Sequence, residues 1–140
     1  MVVENRLAVL MADDDEEDCM LAREAFRESG AEAAFSCVGD GIELMDYLTE
    51  RSHSDVEELP GLILLDLNMP RKDGREALVE IKAVPAFKHI PIVIFTTSKE
   101  EKDIAYSLQA GADSFITKPA TFDKWVEIMK KLVEQKLDRK

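Results

Sequence analysis

Three short apolar runs constrain this chain more than any other feature: 6–12 (RLAVLMA), 61–66 (GLILLD) and 91–96 (PIVIFT). Each is nearly continuous rather than alternating. A strand with one wet face alternates polar and apolar residues, whereas a strand covered on both faces reads as an unbroken run. Two weaker runs, 33–38 (AAFSCV) and 113–117 (DSFIT), complete a set of five. The segments between them have helical spacing. Leu21, Ala22, Ala25 and Phe26 make one stripe, ended by Ser29-Gly30 as a helix C-cap. Asp40 and Asp73 each stand three residues before a Glu, a capping-box start for helices near 41–51 and 74–83. Ser98 and Glu101 repeat the device for a helix near 99–110. Phe122, Trp125, Val126, Met129, Leu132 and Val133 are spaced to face a core from a last helix. Segment 52–60 is polar, ends in Pro60 and reads as a loop. Five strands alternating with five helices predict an α/β fold, a doubly wound parallel sheet covered on both faces, with right-handed crossovers. Ligands bind such sheets at the carboxyl ends of the strands, where strand order reverses.

The length of 140 residues fits one domain. No run approaches the ~18 apolar residues of a membrane span. The N-terminus mixes Glu4 and Arg6 into its start and runs into acids, unlike a signal peptide. No membrane association and a cytoplasmic location are therefore expected. A net charge of −11 without a basic patch excludes nucleic acid as the natural partner. It favours proteins, with a divalent cation suiting an acidic pocket. Cys19 and Cys37 form neither a CxxC nor a metal-ligand spacing, and read as reduced, largely buried thiols. His53 and His89 are isolated and read as surface or loop residues.

The strand ends carry the chemistry. The first run meets six consecutive acids, Asp13 to Asp18. Asp15 suits a helix N-cap, and Glu16, Glu17 and Asp18 fall in the first turn, where the macrodipole favours anions. That leaves Asp13 and Asp14, two carboxylates on a buried strand, which need a cation or a positive side chain. The third run ends in Asp66, the fourth in Thr96, and the fifth just before Lys118-Pro119. Singly, each has a bland reading. Jointly, three acids, a hydroxyl and an ammonium project from one sheet edge. Asp13, Asp14 and Asp66 offer hard oxygen ligands for Mg²⁺. A carboxylate can act as a nucleophile and form an aspartyl phosphate. The metal, Lys118 and Thr96 could then neutralise the phosphoryl oxygens.

In their order, Asp13-Asp14, "LLDLNMPRKDG", "IVIFTTS" and "GADSFITKP" resemble the receiver domain of two-component response regulators, CheY-like in kind, over essentially the whole chain. The "DLNMPRKDG" wording and a longer loop before the third strand also resemble stand-alone regulators of bacterial phytochrome-type kinases. The resemblance implies a flavodoxin-like (βα)5 fold with strand order 2-1-3-4-5. It implies a single receiver domain over 1–140 with no output domain. Asp66 would accept a phosphoryl group from a histidine kinase. Asp14, Asp66 and the Asn68 backbone carbonyl would bind Mg²⁺ or Mn²⁺, with Asp13 acting mostly through water. Thr96 and Lys118 would contact the phosphoryl group, and the Lys118–Pro119 bond would be cis. The aromatic switch position, often Tyr, is Phe115 here, which removes any hydroxyl-mediated version of the switch. The output implied is a conformational change read by a downstream protein, a phosphorelay protein, or a homodimer formed through helix 99–110, strand 113–117 and the last helix. On this reading the chain is not an enzyme beyond its own phosphotransfer and slow autodephosphorylation.

The rival readings meet specific obstacles. A haloacid-dehalogenase-type Mg²⁺-dependent phosphatase also uses a strand-end Asp nucleophile. It carries a second Asp two residues later as general acid, and this chain has Asn68 there and no room for a cap domain. A nucleotide- or flavin-binding module wants a phosphate-cradling loop after the first strand, where this chain places six acids. A receiver that is never phosphorylated would not be expected to keep every site residue.

Overall fold

The computed structural model describes residues 8–54 and 59–137. The elements run β1 (Ala8–Ala12), α1 (Glu16–Glu28), β2 (Ala34–Val38), α2 (Gly41–Ser54), β3 (Leu62–Leu65), α3 (Gly74–Ala83), β4 (Ile92–Thr96), α4 (Glu101–Gln109), β5 (Ser114–Thr117) and α5 (Phe122–Leu132). One π-helical turn, Val133–Leu137, extends α5. The sheet is parallel, in the order β2-β1-β3-β4-β5. This is the flavodoxin-like arrangement expected. Strand order reverses between β1 and β3, so the crevice of the fold opens where Asp13 and Asp66 emerge.

The period of two along each strand divides the core. Leu10, Ala12, Ile63, Leu65, Ile92 and Ile94 face α2 and α3, meeting Leu44, Leu48, Leu78 and Ile81. Val9, Met11, Leu62, Leu64, Val93 and Phe95 face α1 and α5, meeting Ala22, Phe26, Trp125 and Met129. The three central strands are buried on both faces, as their continuous runs require. The edge strands β2 and β5 are only half-buried, matching their weaker runs.

Caps follow the sequence with two exceptions. Asp73 and Glu76 form a full capping box on α3, and Asp15 caps α1 by accepting from the Glu17 and Asp18 N–H groups. At α2, Asp40 accepts from the Glu43 N–H, but Glu43 reaches back to the Gly39 N–H instead of Asp40. Ser98 does not cap α4: the helix starts later, with Glu100 at the cap position and no side-chain bond there, while the Ser98 hydroxyl donates to Asp103 at 2.7 Å and accepts from the Glu100 N–H at 3.2 Å. The α2 helix runs to Ser54, so the expected loop begins later, and 55–58 lie outside the described residues. Leu21 and Phe122, expected to face the core, are exposed. Cys19 carries the inward α1 position instead.

The cysteine expectation needs correction. Cys19 on α1 and Cys37 on β2 are joined in a disulfide, with Cα atoms 6.5 Å apart. The crossover lays α1 over the β1–β2 side of the sheet and brings the two together, a proximity that spacing in the sequence does not show. The expected cis Lys118–Pro119 bond is also absent: no peptide bond among the described residues is cis. Trans is the intrinsic preference of such bonds by about 0.5–1 kcal/mol, and Lys118 reaches its partners from the trans chain.

Candidate functional site

The ladder continues one residue past each central strand. The Asp13 N–H donates to the Val38 carbonyl at 3.0 Å, and the Asp66 N–H to the Ala12 carbonyl at 3.0 Å. Both acids are thereby fixed at the sheet edge by backbone bonds. Asp13 is 4% exposed and Asp66 7%, while Asp14 is exposed. Each of the three offers a carboxylate oxygen, and these atoms lie within 4.8 Å of one another. A hard oxygen donor set of this kind fits a divalent cation such as Mg²⁺, which is held by one or two carboxylates and keeps its remaining waters.

Lys118 arrives from the far edge. Its N–H donates to the Thr96 carbonyl at 2.7 Å, which places the residue past the end of β5. Its ammonium donates to Asp13 Oδ2 at 2.6 Å and Asp18 Oδ2 at 2.7 Å, and stands 3.7 Å from Asp66 Oδ2. Burial alone would lower the Lys118 pKa, but the bonds to Asp13 and Asp18 outweigh it and hold the value above lysine's ordinary one. Burial pushes the Asp13 carboxyl up to about 6, against the lowering effects of Lys118 and of the Asp15 N–H bonded to it at 2.9 Å.

Thr96 is 0% exposed, and its hydroxyl has no hydrogen-bond partner. A buried hydroxyl without a partner costs about 1–3 kcal/mol. Such a group is available to an oxygen entering the site. Phe115 is half-buried against the core face shared by Ile92 and Ile94. Asn68 is exposed in the loop after Asp66. That loop is braced twice. The Gly74 N–H donates to the Leu67 carbonyl at 2.9 Å, and Arg71, at φ 67°, donates to Asp40 at 2.8 Å.

The predicted acids and Lys118 therefore do converge, and Thr96 and Asn68 occupy the same end of the sheet, whereas Phe115 sits within β5, opposite Ile94. Two features escaped the sequence. Asp18, explained there as a helix-terminus acid, is a direct partner of Lys118. Asp103 on α4, 8% exposed, accepts from Ser98 and from Arg75 of α3 at 3.0 Å, tying the β4–α4 loop to α3. Those bonds, Ser98 first, hold the Asp103 carboxyl below its ordinary value. The one sequence hint for Asp18 was that Asp15 already filled the cap.

The family model for the response regulator receiver domain matches residues 9–130. The chain belongs to that family. This receiver is 37% identical over 110 residues to the response regulator Rcp1 of Synechocystis sp., a match covering 79% of this chain and 75% of that protein. Among solved structures it resembles the phosphorylated cyanobacterial phytochrome response regulator RcpA, at 37% identity and a TM-score of 0.85, covering 96% of both chains. It also resembles the Mn²⁺-bound form of Rcp1, at 32% identity and a TM-score of 0.81, covering 93% of this chain and 94% of that one. The receiver is thus a two-component response regulator domain whose acidic cluster suits a divalent metal. No helix among the described residues is long and apolar enough to cross a membrane.

Proposed function

We propose that this receiver is a cytoplasmic response regulator domain that takes a phosphoryl group from a histidine kinase onto Asp66 in a Mg²⁺-dependent reaction. The observation carrying this reading is the convergence of Asp13, Asp14 and Asp66 into one cluster, with the buried Lys118 ammonium against Asp13 and near Asp66, together with the orphaned Thr96 hydroxyl. An Asp66 oxygen attacks phosphorus, the bond to the kinase imidazole nitrogen breaks, and the imidazole leaves with its electron pair. Asp14, Asp66 and the Asn68 backbone carbonyl would hold Mg²⁺, with Asp13 acting mostly through water, and the ion would supply neutralising charge at the transferring oxygens. Lys118 pairs with one phosphoryl oxygen, and the Thr96 hydroxyl satisfies another. Movement of Thr96 toward the phosphoryl group repacks Phe115 and the face made by α4, β5 and α5. That face would be the surface read by a downstream protein, a relay protein or a second copy. Met20, Leu21 and Phe122 form an exposed apolar depression rimmed by Glu17, Glu24 and Glu28. A kinase helix with an apolar stripe and basic flanks would seat there. Likeness to phytochrome response regulators points to a phytochrome-type kinase.

The test is incubation with acetyl phosphate, with and without Mg²⁺, read by intact mass on wild type and Asp66→Asn. One Mg²⁺-dependent, base-labile phosphoryl group that vanishes in the variant is expected. If neither acetyl phosphate nor a phosphorylated kinase labels the wild type, the reading fails. Continuous release of inorganic phosphate over many rapid turnovers would replace it with a phosphatase.

A further inference from the structure

We propose that Asp18 is a positioning residue that holds the Lys118 ammonium on the α1 side of the site, keeping it off Asp66 and leaving that carboxylate open to a divalent cation. The inference rests on the receiver chemistry proposed above for its purpose, but not for its test. Four carboxylates, of Asp13, Asp14, Asp18 and Asp66, surround this ammonium or the cluster it borders. Only Asp18 stands outside the cluster that could ligate a metal. Its oxygen is 2.7 Å from Nζ, whereas that of Asp66 is 3.7 Å away.

The geometry follows from the alternation of the strands. Ile116 faces the α1 and α5 layer, and Lys118, two residues on, extends toward the same layer, where the first turn of α1 presents Asp18. The bland explanation of Asp18 is helix capping, but Asp15 performs it: its carboxylate accepts from the Glu17 and Asp18 N–H groups. The Asp18 carboxylate is thereby free to accept from Lys118, and its side chain is 21% exposed against 6% for the ammonium's residue.

Without Asp18 the ammonium keeps two neighbouring acceptors, Asp13 and Asp66. Both belong to the metal-ready cluster. The ammonium then moves onto Asp66, where it competes with a divalent cation for the carboxylate and repels it. With Asp18 present, the same ammonium waits within reach of a phosphoryl oxygen while Asp66 remains accessible. Asp18 thus separates two demands on one lysine: to be near the transferring group, and not to block the metal.

The experiment counts free Mn²⁺ by electron paramagnetic resonance in titrations of wild type, Asp18→Asn, Lys118→Met and the double variant. Asp18→Ser serves as a second truncation should the Asn variant not fold. Contacting charged groups couple by factors of roughly 2 to 150, and weakening of Mn²⁺ binding by about tenfold is expected when Asp18 is neutralised beside Lys118. Removal of one negative charge weakens binding in any background. The proposal requires that the weakening be at least about fivefold greater with Lys118 present than with Met in its place. Equal weakening in both backgrounds, within about twofold, overturns it, since Asp18 would then act only through its field. Absence of Mn²⁺ binding to the wild type overturns it as well. Phosphoryl transfer is not needed for this readout. A non-additive cycle in a protein that takes no phosphoryl group would refute the proposed function and leave the role of Asp18 standing.

Discussion

Replacing Asp13 with Asn should make the metal-free protein more stable at neutral pH, although it removes the closest acceptor of Lys118. Burial raises the Asp13 carboxyl from its ordinary 3.8 to about 6 in the folded chain. A group whose folded value is raised contributes stability in full below the unfolded value and loses it as pH climbs through the folded one. The wild type therefore loses stability between about pH 4 and pH 6. A rise from 3.8 to about 6, at about 1.36 kcal/mol per pH unit, is about 3 kcal/mol. That figure is already net of the Lys118 bond, because the raised value includes its lowering effect. Lys118 is not stranded either, since Asp18 still accepts from it at 2.7 Å. Asn is the neutral isostere and can keep the bond from the Asp15 N–H. At roughly 2–4 °C per kcal/mol for a domain near this size, the gain is about 6–12 °C in melting temperature. The assay is thermal and urea unfolding of both proteins in chelator at pH 7.5 and pH 3.5. The gain should be present at pH 7.5 and vanish at pH 3.5, where Asp13 is protonated in both folded and unfolded wild type. Saturating Mg²⁺ at pH 7.5 should close the gap by stabilising the wild type more, by about 2.7 kcal/mol at a hundred times its dissociation constant. No gain at pH 7.5, or an equal gain at both pH values, would refute the reasoning. The first outcome would mean that burial does not penalise this charge, and the second that the effect is packing.

Three further outcomes are expected. Gly74→Ala places a Cβ on the Asp66 carbonyl oxygen, so it should cost about 1–3 kcal/mol in urea unfolding and weaken Mn²⁺ binding together with stability. Asp103→Ala leaves Arg75 and Ser98 without their shared acceptor and should cost about 2 kcal/mol. Because the Asp103 carboxyl is held below its ordinary 3.8, its contribution is present above that pH and fades as pH falls further. The Cys19–Cys37 disulfide closes a loop of sequence separation 18, so Cys37→Ser should lower stability by about 3 kcal/mol. Alkylation of the unfolded, unreduced wild type should add no mass.

The sequence by itself determined the elements and the chemistry they display. Strands buried on both faces must be continuously apolar, so β1, β3 and β4 were legible in the chain, and capping residues marked where α1 and α3 begin. Polar residues that follow such strands must emerge at the sheet's edge, which is why Asp13, Asp66, Thr96 and Lys118 stood out before any fold was known. These are local constraints, written within a few residues of where they act. The tertiary structure decided what depends on distant segments meeting. Asp18 looked like a helix-terminus acid until β5 delivered Lys118 to it across the sheet. Ser98 looked like a cap, but α4 starts after Glu100 and the Ser98 hydroxyl also donates to Asp103, itself held by Arg75 of another helix. Cys19 and Cys37 looked like separate thiols until the crossover laid α1 against β2. Leu21 and Phe122 fit a helical stripe, but α1 and α5 turn them outward, and on α1 Cys19 takes the inward place, while Trp125 is buried as its spacing requires. Periodicity fixes which residues share a face; which face meets the core, and which charge meets which, follows only from the packing of one element on another.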